Sequence, residues 1–221
     1  MIERTLEPEV MDEPQRAAAY AKADFSQVND DFVAGLLRRC PEAAKSRVLD
    51  IGCGPADIPI RLLRKAPAAE ISAVDASGVM IALAVDALAA QKLTGKIRLL
   101  VARVPGLPLE SGSFDAVISN SLTHHLPDPN ALWGEAKRLL KPGGFLYVTD
   151  LIRAESKERA RETVETYSGN EHPLLKDDFY HSLLAAFTVE EVSRQLISAD
   201  LGELEAQAVS DRHWLVAGTV A

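Results

Sequence analysis

Residues 47–57 have the sequence RVLDIGCGPAD, in which a short apolar run leads directly into two closely spaced glycines. The apolar run is typical of a buried strand. Gly52 and Gly54 predict a tight turn, and residues 58–63 continue with the apolar spacing of a helix. A strand, a glycine turn and a helix in this order predict an α/β fold whose turn brings the backbone close to a bound ligand.

The acidic residues around this turn indicate which ligand it suits. The dinucleotide-binding pattern needs a third glycine where this chain has Asp57. Asp50 places negative charge before the turn, which disfavours the pyrophosphate of NAD or FAD and suits a positive amino group. Asp75 ends a second predicted strand, where an acid accepts hydrogen bonds from ribose hydroxyls. An ammonium group and a ribose without phosphate describe S-adenosylmethionine (SAM).

Four segments within residues 46–150 resemble the class I SAM-dependent methyltransferase family, in the family's order. They are VLDIGCGPAD, VDASGVM, SFDAVISNSLTHHLPDP and RLLKPGGFLYVTD. The resemblance implies transfer of the SAM methyl group to a nucleophile, with S-adenosyl-L-homocysteine as the product. It also implies a Rossmann-like, seven-stranded and mostly parallel sheet of order 3-2-1-4-5-7-6, with the last strand antiparallel and helices on both faces.

The same resemblance implies which residues bind the cofactor. They are Asp50, Gly52, Cys53 and Gly54 at the methionine end, Asp75 at the ribose, Ala76 and Met80 at the adenine, and Asn120 and Ser121 near the transferable methyl. Many relatives have, after the third strand, an Asp that contacts the adenine amino group, but this chain has Arg103 there. Arginine cannot accept that hydrogen bond. Either the backbone of Val104 and apolar packing hold the adenine, or Arg103 points elsewhere.

Composition limits the classes of partner. The chain has 221 residues, enough for a sizeable core, and a net charge of −8, which disfavours a nucleic-acid substrate. Cys40 and Cys53 form no CxxC pair, so neither a disulfide framework nor a zinc site of cysteines is expected. The N-terminus has no apolar signal segment and no run is long enough to span a membrane. These features predict a cytoplasmic protein with no membrane partner, either a monomer or a homodimer.

We expect a single domain over residues 1–221, built in four parts. They are an N-terminal helical cap (1–45), a SAM-binding core (46–150), a helical insertion that covers the substrate (151–187), and a last helix with an edge hairpin (188–221). Residues 1–12 have the composition of a polar lead-in, and Ser26 is expected to cap the second helix. The Pro-Gly-Gly at 142–144 is expected to separate a helix from the fifth strand, over 145–150.

The acceptor and any base are less constrained by sequence, because a sulfonium methyl is already activated and a base serves only a protonated nucleophile. The catalytic candidates are His125, His124 and Asp150, with a structural loop role as the alternative for the histidines. The substrate candidates are Tyr20, Arg153, Tyr167, His172 and His181. No metal site is expected, since the spacing of His172 and His181 fits no standard ligand pattern.

The sequence favours a methyltransferase that acts on a small molecule, because the insertion predicts an enclosed pocket. Two alternatives keep the cofactor. One is methylation of a protein or peptide side chain, which would need an open groove. The other is a SAM-binding protein without catalysis. An NAD oxidoreductase is disfavoured by the missing third glycine.

Overall fold

A single mixed sheet forms the centre of the molecule. The computed structural model describes residues 2–7 and 10–221. Among them the strands are β1 (Arg47–Ile51), β2 (Glu70–Asp75), β3 (Ile97–Val101), β4 (Phe114–Asn120), β5 (Leu140–Leu151), β6 (Ala206–Ala208) and β7 (His213–Thr219). Their order is β3-β2-β1-β4-β5-β7-β6, with β7 antiparallel to both of its neighbours and the other pairs parallel. The predicted fold class and strand order are confirmed.

Helices cover both faces of this sheet. They are α1 (Pro14–Lys22), α2 (Ser26–Arg39), α3 (Asp57–Lys65), α4 (Gly78–Ala90), α5 (Asn130–Leu139), α6 (Lys157–Ser168), α7 (Pro173–Ala185) and α8 (Val189–Ser198). One core cluster joins α2, α3 and α4 to one face, and a second joins α5 and α8 to the other. The neighbours Val48 and Leu49 on β1 belong to different clusters, as the alternation of side chains along a strand requires. Burial on both faces explains why Val48, Leu49 and Ile51 of β1 are all apolar.

Two local predictions are wrong. Ser26 makes no side-chain cap on α2; its N–H and hydroxyl donate instead to Asp24 Oδ1, at 3.0 and 2.5 Å. An aspartate two residues earlier closes this turn itself, which leaves the serine no capping role. The Pro-Gly-Gly segment does not separate a helix from β5, because β5 already begins at Leu140, which pairs with Phe114. A register shift after that pair lets the strand pass through the glycines.

The cap and the insertion meet over the carboxyl ends of the parallel strands. Helix α1 contacts both α4 and α7. Residues 2–7 are more than a polar lead-in, because Thr5 N–H donates to Leu184 O at 3.1 Å and Arg4 Nε–H donates to Ala185 O at 2.5 Å. A capping box between Thr188 and Glu191 begins α8. None of the helices in the described part of the chain is long and apolar enough to span a membrane.

Candidate functional site

The glycine turn after β1 forms the floor of the site. Gly52 has a φ of +79°, and its N–H donates to Val74 O at 2.8 Å, which joins the turn to β2. A Cβ on Gly52 would lie 2.9–3.0 Å from three side-chain carbons of Leu122. The backbone conformation and the close approach both require glycine here. Leu122 therefore packs directly against Gly52, and it bounds the space above the turn.

Two acids face that space from the ends of β1 and β2. Asp75 accepts hydrogen bonds from the N–H groups of Gly54 and Ser77, both at 2.8 Å, which fix its carboxylate. Burial raises the pKa of Asp75. Asp50 is only 2% exposed, and burial followed by the charge of Asp75 raises its pKa to about 8. A cationic group bound nearby would favour the ionised form of both acids.

These residues line one cavity of about 610 Å³. It brings together all the residues predicted to bind the cofactor, namely Asp50, Gly52, Cys53, Gly54, Asp75, Ala76, Met80, Arg103, Val104, Asn120 and Ser121. Three adjacent parallel strands, β2, β1 and β4, end at this edge, which explains why segments far apart in sequence meet. Burial keeps the Cys53 thiol protonated by raising its pKa well above the usual value.

The other end of the cavity is closed by α1, the turn after β4, and the insertion. Tyr20 and Tyr167, both predicted substrate contacts, line it. Burial raises the pKa of Tyr20 to about 12, so its phenol stays neutral. Tyr167 donates its hydroxyl to Asp211 Oδ2 at 2.6 Å, while the Arg212 guanidinium lies 3.3 Å from its ring centroid. This contact joins α6 to the link between β6 and β7.

Three other predicted substrate residues lie outside the cavity wall. Arg153 pairs with Glu191 at 2.7 Å, at the start of α8. His172 accepts a hydrogen bond from Leu174 N–H at 3.2 Å and caps α7. His181 is half exposed and lies 3.5 Å from Asp177 on the same helix. All three side chains therefore have structural partners away from the cavity.

The catalytic candidates form a buried polar cluster. His124 is 3% exposed, and its Nδ1 lies 2.5 Å from Asp150 Oδ1. Its Nε2 lies 3.3 Å from Glu7 Oε1, and His125 Nδ1 lies 3.2 Å from the same oxygen. Burial opposes a charge on His124, but the Asp150 carboxylate outweighs it and raises the pKa of the imidazole. Both histidines line the cavity, whereas Asp150 lies behind His124.

Sequence analysis missed several residues of this end of the site. Asp178, Phe179 and Ser182 on α7 line the cavity, and the Ser182 hydroxyl donates to Glu7 Oε1 at 3.1 Å. Glu7 itself belongs to the segment predicted to be a polar lead-in. No local motif marks these positions. The only signal was the expectation that the insertion covers the carboxyl ends of the strands.

Comparisons with known proteins agree with this geometry. Residues 49–148 match the family model described as "Methyltransferase domain". The chain is 34% identical over 130 residues to a ubiquinone biosynthesis O-methyltransferase of Xanthomonas oryzae pv. oryzae, covering 58% of this chain and 51% of the relative. It is 35% identical over 109 residues to a demethylmenaquinone methyltransferase of Thermus thermophilus, covering 49% of each. The chain thus spans about half the length of these curated relatives.

A solved structure shares the fold over the whole chain. It is a putative SAM-dependent methyltransferase from Methanococcus maripaludis, with a TM-score of 0.74 and 20% sequence identity, covering 100% of this chain and 98% of that one. The residues present also fit SAM, because buried Asp50 and partly buried Asp75 place two carboxyl groups on the cavity wall, and two backbone N–H groups hold that of Asp75. The strand order, the motif order and the family model that matches residues 49–148 together identify this part of the chain as similar to class I SAM-dependent methyltransferases.

Proposed function

We propose that this protein methylates a small molecule with SAM and releases S-adenosyl-L-homocysteine. One observation carries the proposal: a single cavity runs from the glycine turn and its two acids to a chamber closed by α1, α7 and the turn after β4. Two relatives support it by name, since they methylate in ubiquinone biosynthesis or act on demethylmenaquinone. The unpaired cysteines Cys40 and Cys53 suit the reducing cytoplasm, where we place the reaction.

The protein's task in this reaction is positioning. SAM supplies an activated methyl group on a sulfonium. Asp75, held by two backbone N–H groups, would accept hydrogen bonds from ribose hydroxyls, and Asp50 would pair with the ammonium group. Asn120 ends β4 and Ser121 follows it, at the boundary between the two halves of the cavity. Holding two reactants in line lowers a barrier by roughly 7–11 kcal/mol.

The chamber favours an acceptor with an apolar body and a few polar groups. Its apolar residues include Leu122, Leu126, Leu175 and Phe179. Tyr167, Asp178 and Ser182 add polar atoms to the same wall. Pockets of this composition bind small molecules, because apolar walls supply affinity and a few polar groups supply orientation. A protein or peptide side chain would need an open groove, and the contacts of α1 with α7 close this side.

Calorimetric titration with SAM, S-adenosylhomocysteine and NADH tests the cofactor. We expect dissociation constants on the order of micromolar for the first two and no binding of NADH. Asp75→Asn should weaken SAM binding about tenfold or more, because it removes a charged acceptor and turns an amide N–H₂ toward the N–H of either Gly54 or Ser77. Asp86→Asn, on the exposed face of α4, is the matched control and should bind SAM like the wild type.

An acceptor screen tests the reaction class. Release of S-adenosylhomocysteine would be measured with pools of small phenols, quinols, amines and thiols, and with mixed peptides. The proposal predicts turnover with a small-molecule pool. Turnover with peptides only would contradict the small-molecule acceptor, and tight SAM binding without turnover on any pool would favour a binding protein.

A further inference from the structure

The cluster of Glu7, His124 and His125 has the donor atoms and spacing of a metal site. It supplies two imidazole nitrogens and one carboxylate oxygen, all within 4.8 Å of one another. Zn²⁺ binds such donors at about 2.0–2.2 Å, so two ligands of one tetrahedron lie about 3.3 Å apart. Glu7 Oε1 lies 3.3 Å from His124 Nε2 and 3.2 Å from His125 Nδ1. We propose that these three residues bind a divalent cation of the zinc type.

A second observation orients the central ligand. Asp150 Oδ1 lies 2.5 Å from His124 Nδ1, on the side of the ring opposite Glu7. In the neutral ring, an Nδ1–H that donates to Asp150 leaves the lone pair on Nε2 facing Glu7. A carboxylate behind a ligating histidine fixes the tautomer and raises the basicity of the ligand. Ser182 supports a second ligand in the same way, because its hydroxyl donates to Glu7 Oε1 at 3.1 Å.

The local charge also accommodates a cation. Glu7 and Asp150 are the acids in direct contact with the cluster. One guanidinium lies close by, but Arg4 donates to the carbonyl oxygens of His124 and Leu126, at 2.7 and 2.9 Å, and lies over the ring of Phe187. Two carboxylates against one guanidinium leave net negative charge beside the donor atoms. Nitrogen donors favour Zn²⁺ and its neighbours over Mg²⁺, which prefers oxygen.

The position of the site indicates a role for a bound cation. Sites with three protein ligands keep a coordination position open for water or substrate. Since His124 and His125 line the cavity, that position would face the acceptor chamber. A bound cation would there hold and orient an acceptor through a hydroxyl or carbonyl oxygen. The metal site does not depend on the proposed methyl transfer, but this use of it does.

Metal titration of the full-length protein tests the site without any acceptor. The protein would be stripped with a chelator, desalted, and titrated with Zn²⁺ by calorimetry and with Co²⁺ by visible absorption. We expect one ion per chain, a dissociation constant on the order of micromolar or tighter, Co²⁺ bands of low-coordinate geometry, and no comparable binding of Mg²⁺. Absence of saturable Zn²⁺ binding would overturn the proposal.

Variants locate the ion. Glu7→Gln and His125→Gln should each weaken Zn²⁺ binding at least about tenfold and change the Co²⁺ spectrum, because each removes a ligand. Glu7 lies outside the sheet core, so unchanged SAM affinity of the Glu7→Gln variant would show that this variant folds. His181→Ala removes an exposed histidine of α7 and is the matched control. Equal Zn²⁺ affinity in all three variants would place the ion elsewhere and refute the assignment.

Discussion

Replacement of Gly52 by alanine should destabilise the folded protein in two ways, through its backbone conformation and through its packing. Its φ of +79° lies in the left-handed region, where an L-residue loses about 1–2 kcal/mol. The new Cβ would also lie 3.0 Å from Leu122 Cβ, an atom that side-chain rotation cannot move away. Overpacking of this kind costs about 1–3 kcal/mol. We therefore expect Gly52→Ala to lower the free energy of unfolding by about 2–5 kcal/mol.

Gly95 supplies the matched control. Its φ is +77°, almost the same as that of Gly52, but nothing lies within 4 Å of its Cβ position. Gly95→Ala should therefore show the backbone cost alone, about 1–2 kcal/mol. Equilibrium urea unfolding, followed by fluorescence and circular dichroism together, measures both values. Equal losses in the two variants would refute the claim that close approach to Leu122 requires glycine in the turn.

Two further predictions concern stability. Asp50 has a pKa of about 8 in the folded protein, so between about pH 4 and 8 the folded state holds a proton that the unfolded chain has lost. The free energy of unfolding of the ligand-free protein, measured by urea unfolding, should thus fall with rising pH by up to about 1.4 kcal/mol per pH unit relative to that of Asp50→Asn. The same pH dependence in both proteins would contradict this prediction. Thr188→Ala should cost about 1 kcal/mol by removing the cap of α8, measured by thermal unfolding, whereas Ser193→Ala inside the same helix should cost nothing or stabilise slightly.

The cofactor half of the site was predictable because its residues are local to single motifs. Gly52 and Asp50 flank one strand end, and Asp75 ends the next strand along the chain. Parallel strands bring such ends to one edge of a sheet, so the position of each residue within its own segment was enough. For Arg103 the family resemblance left two possibilities open, a place at the adenine or a side chain that points elsewhere, and in the structure Arg103 lines the cavity.

The acceptor half depends on contacts between segments that no motif connects. Topology favours the pair of His124 and Asp150, because β4 and β5 are adjacent parallel strands with Asn120 opposite Thr149. The turn that carries His124 therefore starts beside the strand end that carries Asp150. Glu7 is different, since its place depends on how residues 2–7 pack along α7. A segment without periodicity gives no signal for that packing.

The turn after β4 is where the two halves meet, and this explains why one short segment carries both kinds of residue. Ser121 has a φ of +54°, which turns the chain sharply at the end of β4. Residues before this bend, such as Asn120, face the cofactor half, while His124 and His125 after it reach the acceptor half. Leu122, between them, packs against Gly52 on the floor. This contact links the glycine turn to the segment that carries the histidines, so under the proposed function packing at the sheet edge would set the spacing between methyl donor and acceptor.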